Sequence, residues 1–313
     1  QISHHMTLNV ENFISAPNES LSLNPSLDDK GNFAHLFISW GDINVASIVK
    51  GYELLKPKVE IIKDKDLISK EHTKQILDKI SDWFESTYLQ KIDLSSSLNK
   101  FNESAQERGF IFKLSENQFN FYQINILDEF KLIEESKRKE IHAMNFRLGK
   151  NVIFNSELIR PEYMKVKFYL WNIFYDENLL LDSYIPKDGN ATLNIENKLN
   201  ESLVSFLGFI LQDNLLIRID IFNEFEKQLF KRENRGPFSL PMDLSNLLGI
   251  KKDKLIKILH DRSFLIQEVE ENDLVVSKKI KVNKIQLNAK NKKTLKTKQK
   301  KVIKTPTKNL FNN

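Results

Sequence analysis

The chain has no cysteine among its 313 residues. That excludes disulfides, thiolate metal ligands and cysteine nucleophiles, and it suits a reducing, cytoplasmic setting. No apolar run approaches the ~20 residues that span a bilayer, so no membrane partner is expected. The start at Gln1 shows no basic segment followed by an apolar one, so no signal peptide is read there. It also shows no initiator Met, which suits a portion of a longer chain. GxxxxGK[ST], GxGxxG and HExxH are all missing, so no P-loop motor, dinucleotide fingerprint or zincin site lies in this chain. Of the six histidines, only His4 and His5 are adjacent, and no carboxylate stands at a metal-ligand spacing from them. Glu134-Glu135 and Glu270-Glu271 sit in charged, solvated stretches and make poor acid–base pairs. No catalytic residue and no metal ligand is therefore assigned.

Acidic residues are absent from the last forty positions. Residues 274–313 hold thirteen lysines and no Asp or Glu. The whole chain carries +5, so removing those thirteen charges leaves residues 1–273 at −8. The lysines are Lys278, Lys279, Lys281, Lys284, Lys290, Lys292, Lys293, Lys296, Lys298, Lys300, Lys301, Lys304 and Lys308. After Leu287 the segment has almost no large apolar residue to offset its ordering entropy, so 278–313 reads as a disordered tail. Each Lys that neutralises a phosphate releases counterions, which gives salt-sensitive, sequence-indifferent affinity for a polyanion, nucleic acid above all.

What remains is rich in apolar residues, 41% overall with 22 Phe, enough for a sizeable core. Residues 1–30 are polar and read as a loose leader. Strand-like runs at 34–40 and 43–49 flank Gly41-Asp42 as a hairpin, with a third strand near 58–62. Ser69 can cap a helix over 69–91, whose buried face would include Ile76, Ile80, Trp83 and Phe84. A second helix over 94–108 would stop at Gly109, and 110–114 with 119–123 would form another hairpin. Residues 128–144 look helical, 151–154 form a short strand, and Pro161 opens a helix at a position where it is tolerated. Trp40, Trp83 and Trp171 fall in apolar patterns and read as core. The polar stretch 182–202 reads as a linker between a mixed domain over 31–181 and a second domain over 203–277.

That second domain has a distinctive order: helix, short strand at 238–240, helix over 241–248, turn at Gly249, helix over 251–261, then strands at 263–267 and 274–278. This is the order of a winged helix-turn-helix, whose second turn helix can enter a major groove. Leu255, Ile258 and Leu259 would face inward, and Lys251, Lys252, Lys254 and Lys257 outward toward phosphates. Residues 241–273 nevertheless carry five Lys or Arg against seven Asp or Glu, and the wing tip is acidic. The expected fold class is therefore α+β, a mixed helix and hairpin domain followed by a winged-helix-like domain and a basic tail.

Two stretches resemble a known family. Phe146-Arg147-Leu148-Gly149 through Val152-Ile153-Phe154, Leu158-Ile159-Arg160-Pro161 and Leu170-Trp171 form one. Ile217-Arg218-Ile219-Asp220 through Leu247-Leu248-Gly249 form the other. In this order they resemble the post-motor half of alphaproteobacterial DExH-type helicases related to the mitochondrial RNA-degradosome helicase. Ser39-Trp40-Gly41 and Leu55-Lys56-Pro57-Lys58-Val59-Glu60 are similar to the segment before them. Asn155-Ser156 and Ile159-Arg160 depart from that pattern. The resemblance implies an accessory, nucleic-acid-binding portion of an ATP-dependent helicase, with RNA as the first partner. ATP and Mg²⁺ would belong to upstream motor domains, and this chain alone would lack ATPase activity. A stand-alone winged-helix regulator and a protein-docking scaffold are the alternatives.

Overall fold

The computed structural model describes residues 10–62, 70–187, 190–270 and 273–278. It is a mixed α/β fold in which the described strands form small antiparallel sheets. The chain divides into two units, residues 1–231 with 241–255, and residues 232–240 with 256–313.

The first unit opens with helix α1 (Val10–Ser15) and strands β1 (Leu21–Leu27), β2 (Phe33–Trp40), β3 (Ile43–Glu53) and β4 (Lys56–Ile61), paired in that order. The expected hairpin and third strand are present. The loose leader is corrected, because residues 10–27 are held in place. Phe13 is fully buried, edge-on to Trp40 with ring centroids 5.5 Å apart. The Lys79 ammonium donates to the carbonyl oxygens of Phe13 and Ile14 at 3.0 Å, and to that of Ala16. It thereby satisfies acceptors that a helix end leaves open. Pro25 lies on the edge strand of the sheet, where a missing N–H is tolerated. The β1–β2 turn is tied by Asp28, whose carboxylate accepts from the backbone N–H groups of Lys30 and Asn32 and from the Asn32 side chain. These bonds, the Asn32 amide first, hold its carboxyl below the usual range.

Helix α2 (Lys70–Phe84) buries Ile76, Ile80, Trp83 and Phe84 on one face. It runs through a π-helical turn at Glu85–Leu89 into α3 (Gln90–Ile92). Ser69, the expected cap, lies outside the described residues. The expected helix over 94–108 is instead two pieces, α4 (Ser95–Leu98) and α5 (Ala105–Glu116). Gly109 sits inside α5 rather than ending it. The reason is a cap: the Ser104 hydroxyl accepts from Glu107 N–H at 3.1 Å, while the Glu107 carboxylate accepts from Glu103 N–H. Phe110, Ile111 and Leu114 then share the buried face of α5, so the hairpin expected at 110–123 does not form. Only β5 (Phe121–Tyr122) is extended there. The helix expected over 128–144 is divided into α6 (Ile126–Lys131) and α7 (Glu135–Ala143). Between them Ile133 turns into the core and Glu134 adopts an extended ψ of 142°. Strands β6 (Phe146–Leu148) and β7 (Val152–Asn155) complete a sheet in the order β5-β7-β6.

Helix α8 (Pro161–Tyr175) starts with Pro at its first turn, as expected, and packs on β2 and β3. Apart from the half-buried Lys165, every residue from Tyr163 to Asn172 is buried. The described residues of the stretch expected as a linker carry structure instead. Tyr184 and Ile185 are buried, and β8 (Thr192–Asn194) joins a sheet. Asn200 caps α9 (Glu201–Leu207) through bonds from Ser202 and Leu203 N–H groups. Gly208 ends α9 at φ +89°, and β9 (Phe209–Gln212) and β10 (Leu215–Arg218) give the sheet order β8-β10-β9. Helix α10 (Ile219–Glu233) follows.

Lys167 lies in the middle of α8, 1% exposed. Its Nζ donates to the Phe206 carbonyl of α9 at 2.7 Å and lies 5.4 Å from that ring's centroid. Burial pushes its pKa down to about 7. Above its unfolded value of 10.5 the group is neutral in both states. As pH falls from there to about 7 the unfolded chain takes up the proton first, so stability falls across that window and levels off below it. Lys167→Met is expected to remove most of this slope. Urea unfolding of both proteins at pH 7 and pH 10 should show a wild-type minus variant difference of a few kcal/mol, at about 1.4 kcal/mol per pH unit. Equal slopes would show that the ammonium stays charged.

Candidate nucleic-acid interface

The C-terminal elements follow the expected order. Strand β11 (Phe238–Ser239) comes first, then helices α11 (Met242–Leu248) and α12 (Lys252–Asp261), then strands β12 (Phe264–Glu270) and β13 (Asp273–Lys278). In the second unit the strands pair as β11-β13-β12. Val276 is fully buried, and Phe238 and Phe264 stand 6.2 Å apart at their ring centroids.

The turn between the helices is built in the first unit. Gly249 has φ +61°, the left-handed region that favours glycine, and closes α11 as its C-cap. Ile250 N–H donates to the Ser245 carbonyl, and the Ser245 hydroxyl donates to the Ile250 carbonyl. Leu255, Ile258 and Leu259 of α12 are fully buried, as their spacing implied.

The lysines of α12 fall into two groups. Lys251 and Lys252 are exposed and, among the described residues, have neither an ion pair nor a hydrogen bond for their side chains. They stand at the positive end of the helix dipole, where a cation is unfavourable and an anion is welcome. Lys254 is half-buried, and its Nζ donates to the Asn194 side chain at 2.7 Å. That bond anchors α12 to β8 and makes Lys254 a weaker candidate for phosphate. Lys257 is exposed and already engaged within the protein.

Lys278, at the end of β13, pairs with Glu233 at the end of α10, within the second unit. Spacing could not reveal that pairing, because the two residues lie 45 positions apart. Lys279, Lys281, Lys284, Lys290, Lys292, Lys293, Lys296, Lys298, Lys300, Lys301, Lys304 and Lys308 lie outside the described residues. Among the described residues no three His, Asp or Glu side chains gather as a metal site. No described helix is long and apolar enough to cross a membrane.

The residues that carry the helicase resemblance are accounted for by packing. An added Cβ at Gly149 would sit 1.8 Å from the Asn223 side chain, so this glycine permits a close approach of α10. Arg147 donates to the carbonyls of His142 and Phe146. Arg218 forms a two-pronged pair with Asp220, at 2.7 and 2.9 Å. Leu170 and Trp171 are core.

Reversing charge at the start of α12 separates phosphate contact from a merely solvated face. Lys251→Glu with Lys252→Glu is expected to raise Tm slightly through the dipole. It should also weaken nucleic-acid binding and flatten the slope of log K against log salt by about 2. A thermal melt and a fluorescence-anisotropy salt series read both effects, and an unchanged slope would remove α12 from the interface. In comparisons with known proteins, no family, no curated protein and no solved structure matches this chain.

Proposed function

We propose that this chain is a nucleic-acid-binding accessory protein whose C-terminal part grips the phosphate backbone. The observation that carries the reading is a continuous arrangement. A strand, two helices joined at Gly249 and a hairpin follow one another, with the unpaired Lys251 and Lys252 at the start of the second helix. The hairpin's last strand runs directly into an acid-free segment of twelve further lysines. A winged helix-turn-helix presents a helix start to the groove, and a lysine segment adds affinity without sequence preference. The body is acidic and would repel phosphates, so affinity rests on these two features together.

The helicase reading rests on the resemblance of short motifs alone. On that reading the chain guides an RNA strand for a motor that binds ATP and Mg²⁺ elsewhere. ATP turnover by this chain would contradict the accessory role.

Deletion of residues 279–313 leaves Lys278 and its pair with Glu233 in place. The truncated protein is expected to bind single-stranded RNA and duplex DNA at least about tenfold more weakly at moderate salt. Its log–log salt slope should fall by several units, since each phosphate neutralised contributes about 0.7 to 0.9. Equal affinity and equal slope after deletion would show that the segment serves solubility only.

A further inference from the structure

A cavity of about 240 Å³ opens in the first unit at the beginning of α8. Its buried lining is apolar and includes Met164, Ile185 and Phe209. Its charged lining comprises three cations, Lys165, Lys187 and Arg218, beside the polar Asn190. They come from α8, from the segment before β8 and from the end of β10, so the fold brings together charges that lie far apart in sequence. Among the described residues neither lysine has an ion-pair or hydrogen-bond partner for its side chain. Arg218 uses Nε and Nη2 on Asp220, which fixes the guanidinium and leaves Nη1 to donate elsewhere. The nearby Glu162 is paired with Arg160 at 3.1 Å. With Asp220 counted against Arg218, the described residues of the cavity wall hold two uncompensated positive charges.

We propose that this cavity binds the phosphate group of a small phosphomonoester, whose organic part lies against the apolar lining. A phosphomonoester carries about −1.5 to −2 charge at neutral pH and three strong acceptor oxygens. It therefore matches both the charge and the number of donor groups, whereas a carboxylate would leave one lysine uncompensated. The cavity volume corresponds to about eight waters at ~30 Å³ each, the scale of a pentose phosphate. Convergent polar groups around an apolar floor are the usual make-up of a small-molecule site. The phosphomonoester could be free or could be the 5′ end of a nucleic-acid strand. The site shares no residue with α12 or the lysine segment, so it stands or falls apart from the proposed backbone grip.

The test is calorimetry on the full chain with ribose 5-phosphate, ribose, inorganic phosphate, and a short oligonucleotide with and without a 5′ phosphate. Each probe is compared between the wild type and the Lys165→Gln, Lys187→Gln double variant, whose thermal melt confirms that it folds. Ribose 5-phosphate is expected to bind and ribose not, with affinity about tenfold or more lower in the double variant, because two charge-assisted bonds are lost. A 5′-phosphate-dependent oligonucleotide signal that falls in the same variant would identify the strand end as the source. Its absence, with ribose 5-phosphate still bound, would identify a free metabolite. No binding of any phosphomonoester at millimolar concentration, equal affinity in wild type and variant, or inorganic phosphate bound as tightly as the ester would overturn the proposal.

Discussion

Burial of α8 is the constraint on which the first unit depends. The helix packs on β2 and β3 and against α9, and nearly all its middle residues are shielded from water. Each large apolar side chain fully buried there contributes about 1.5–3 kcal/mol. Apart from Lys165, the middle of this helix leaves no face for a charge, yet Lys167 sits at its centre, held by one carbonyl of α9. The cost of removing an ammonium from water appears as a pKa lowered by burial to about 7. The Asn172 side chain extends the same logic at the helix end. It donates to the Phe168 carbonyl and accepts from Leu179 N–H, so the chain leaves α8 with its polar groups satisfied.

Charge is organised on a larger scale than the helices. Some lysines of the body are committed, as the pairs Lys113–Glu129, Lys100–Glu140 and Lys137–Glu103 illustrate, while others such as Lys58, Lys70, Lys74 and Lys198 have no ion pair among the described residues. Such exposed pairs contribute little stability, but they neutralise the cations they hold. Four of the cations without partners stand at the two proposed anion sites. Lys251 and Lys252 stand at the start of α12, and Lys165 and Lys187 line the cavity by α8. They motivate the two anion-binding roles proposed, one for a polymer backbone and one for a single phosphate group.

Parts of this were legible in the sequence, and the reasons differ by element. Pro161 and the apolar run after it announce α8, because Pro suits a first helical turn and a nearly continuous apolar stretch must be buried. Gly249 announces the turn between α11 and α12 because a left-handed residue is needed there. Residues 105–123 were misread because Phe110-Ile111-Phe112 looks strand-like in isolation. The deciding signal was the Ser104 and Glu107 cap, which fixes helix before side-chain preference can act. The polar segments 10–27 and 182–202 were misread because composition does not report single anchors such as Phe13 or Tyr184. The cavity at α8 left no sequence signal at all, since Lys165, Lys187 and Arg218 come from three separate segments.

On the proposed reading, contact with the phosphodiester backbone is confined to the start of α12 and the C-terminal lysines, apart from the single phosphate group proposed for the cavity by α8. Lysine acetylation of the full chain, free and bound to a nucleic acid lacking a 5′ phosphate, tests this, with the protected lysines mapped by mass spectrometry. Protection is expected at Lys251, Lys252 and the lysines beyond Lys278, and little at body lysines such as Lys58, Lys113 or Lys137. Protection spread evenly over the body, or absent from α12 and the C-terminal segment, would contradict that reading.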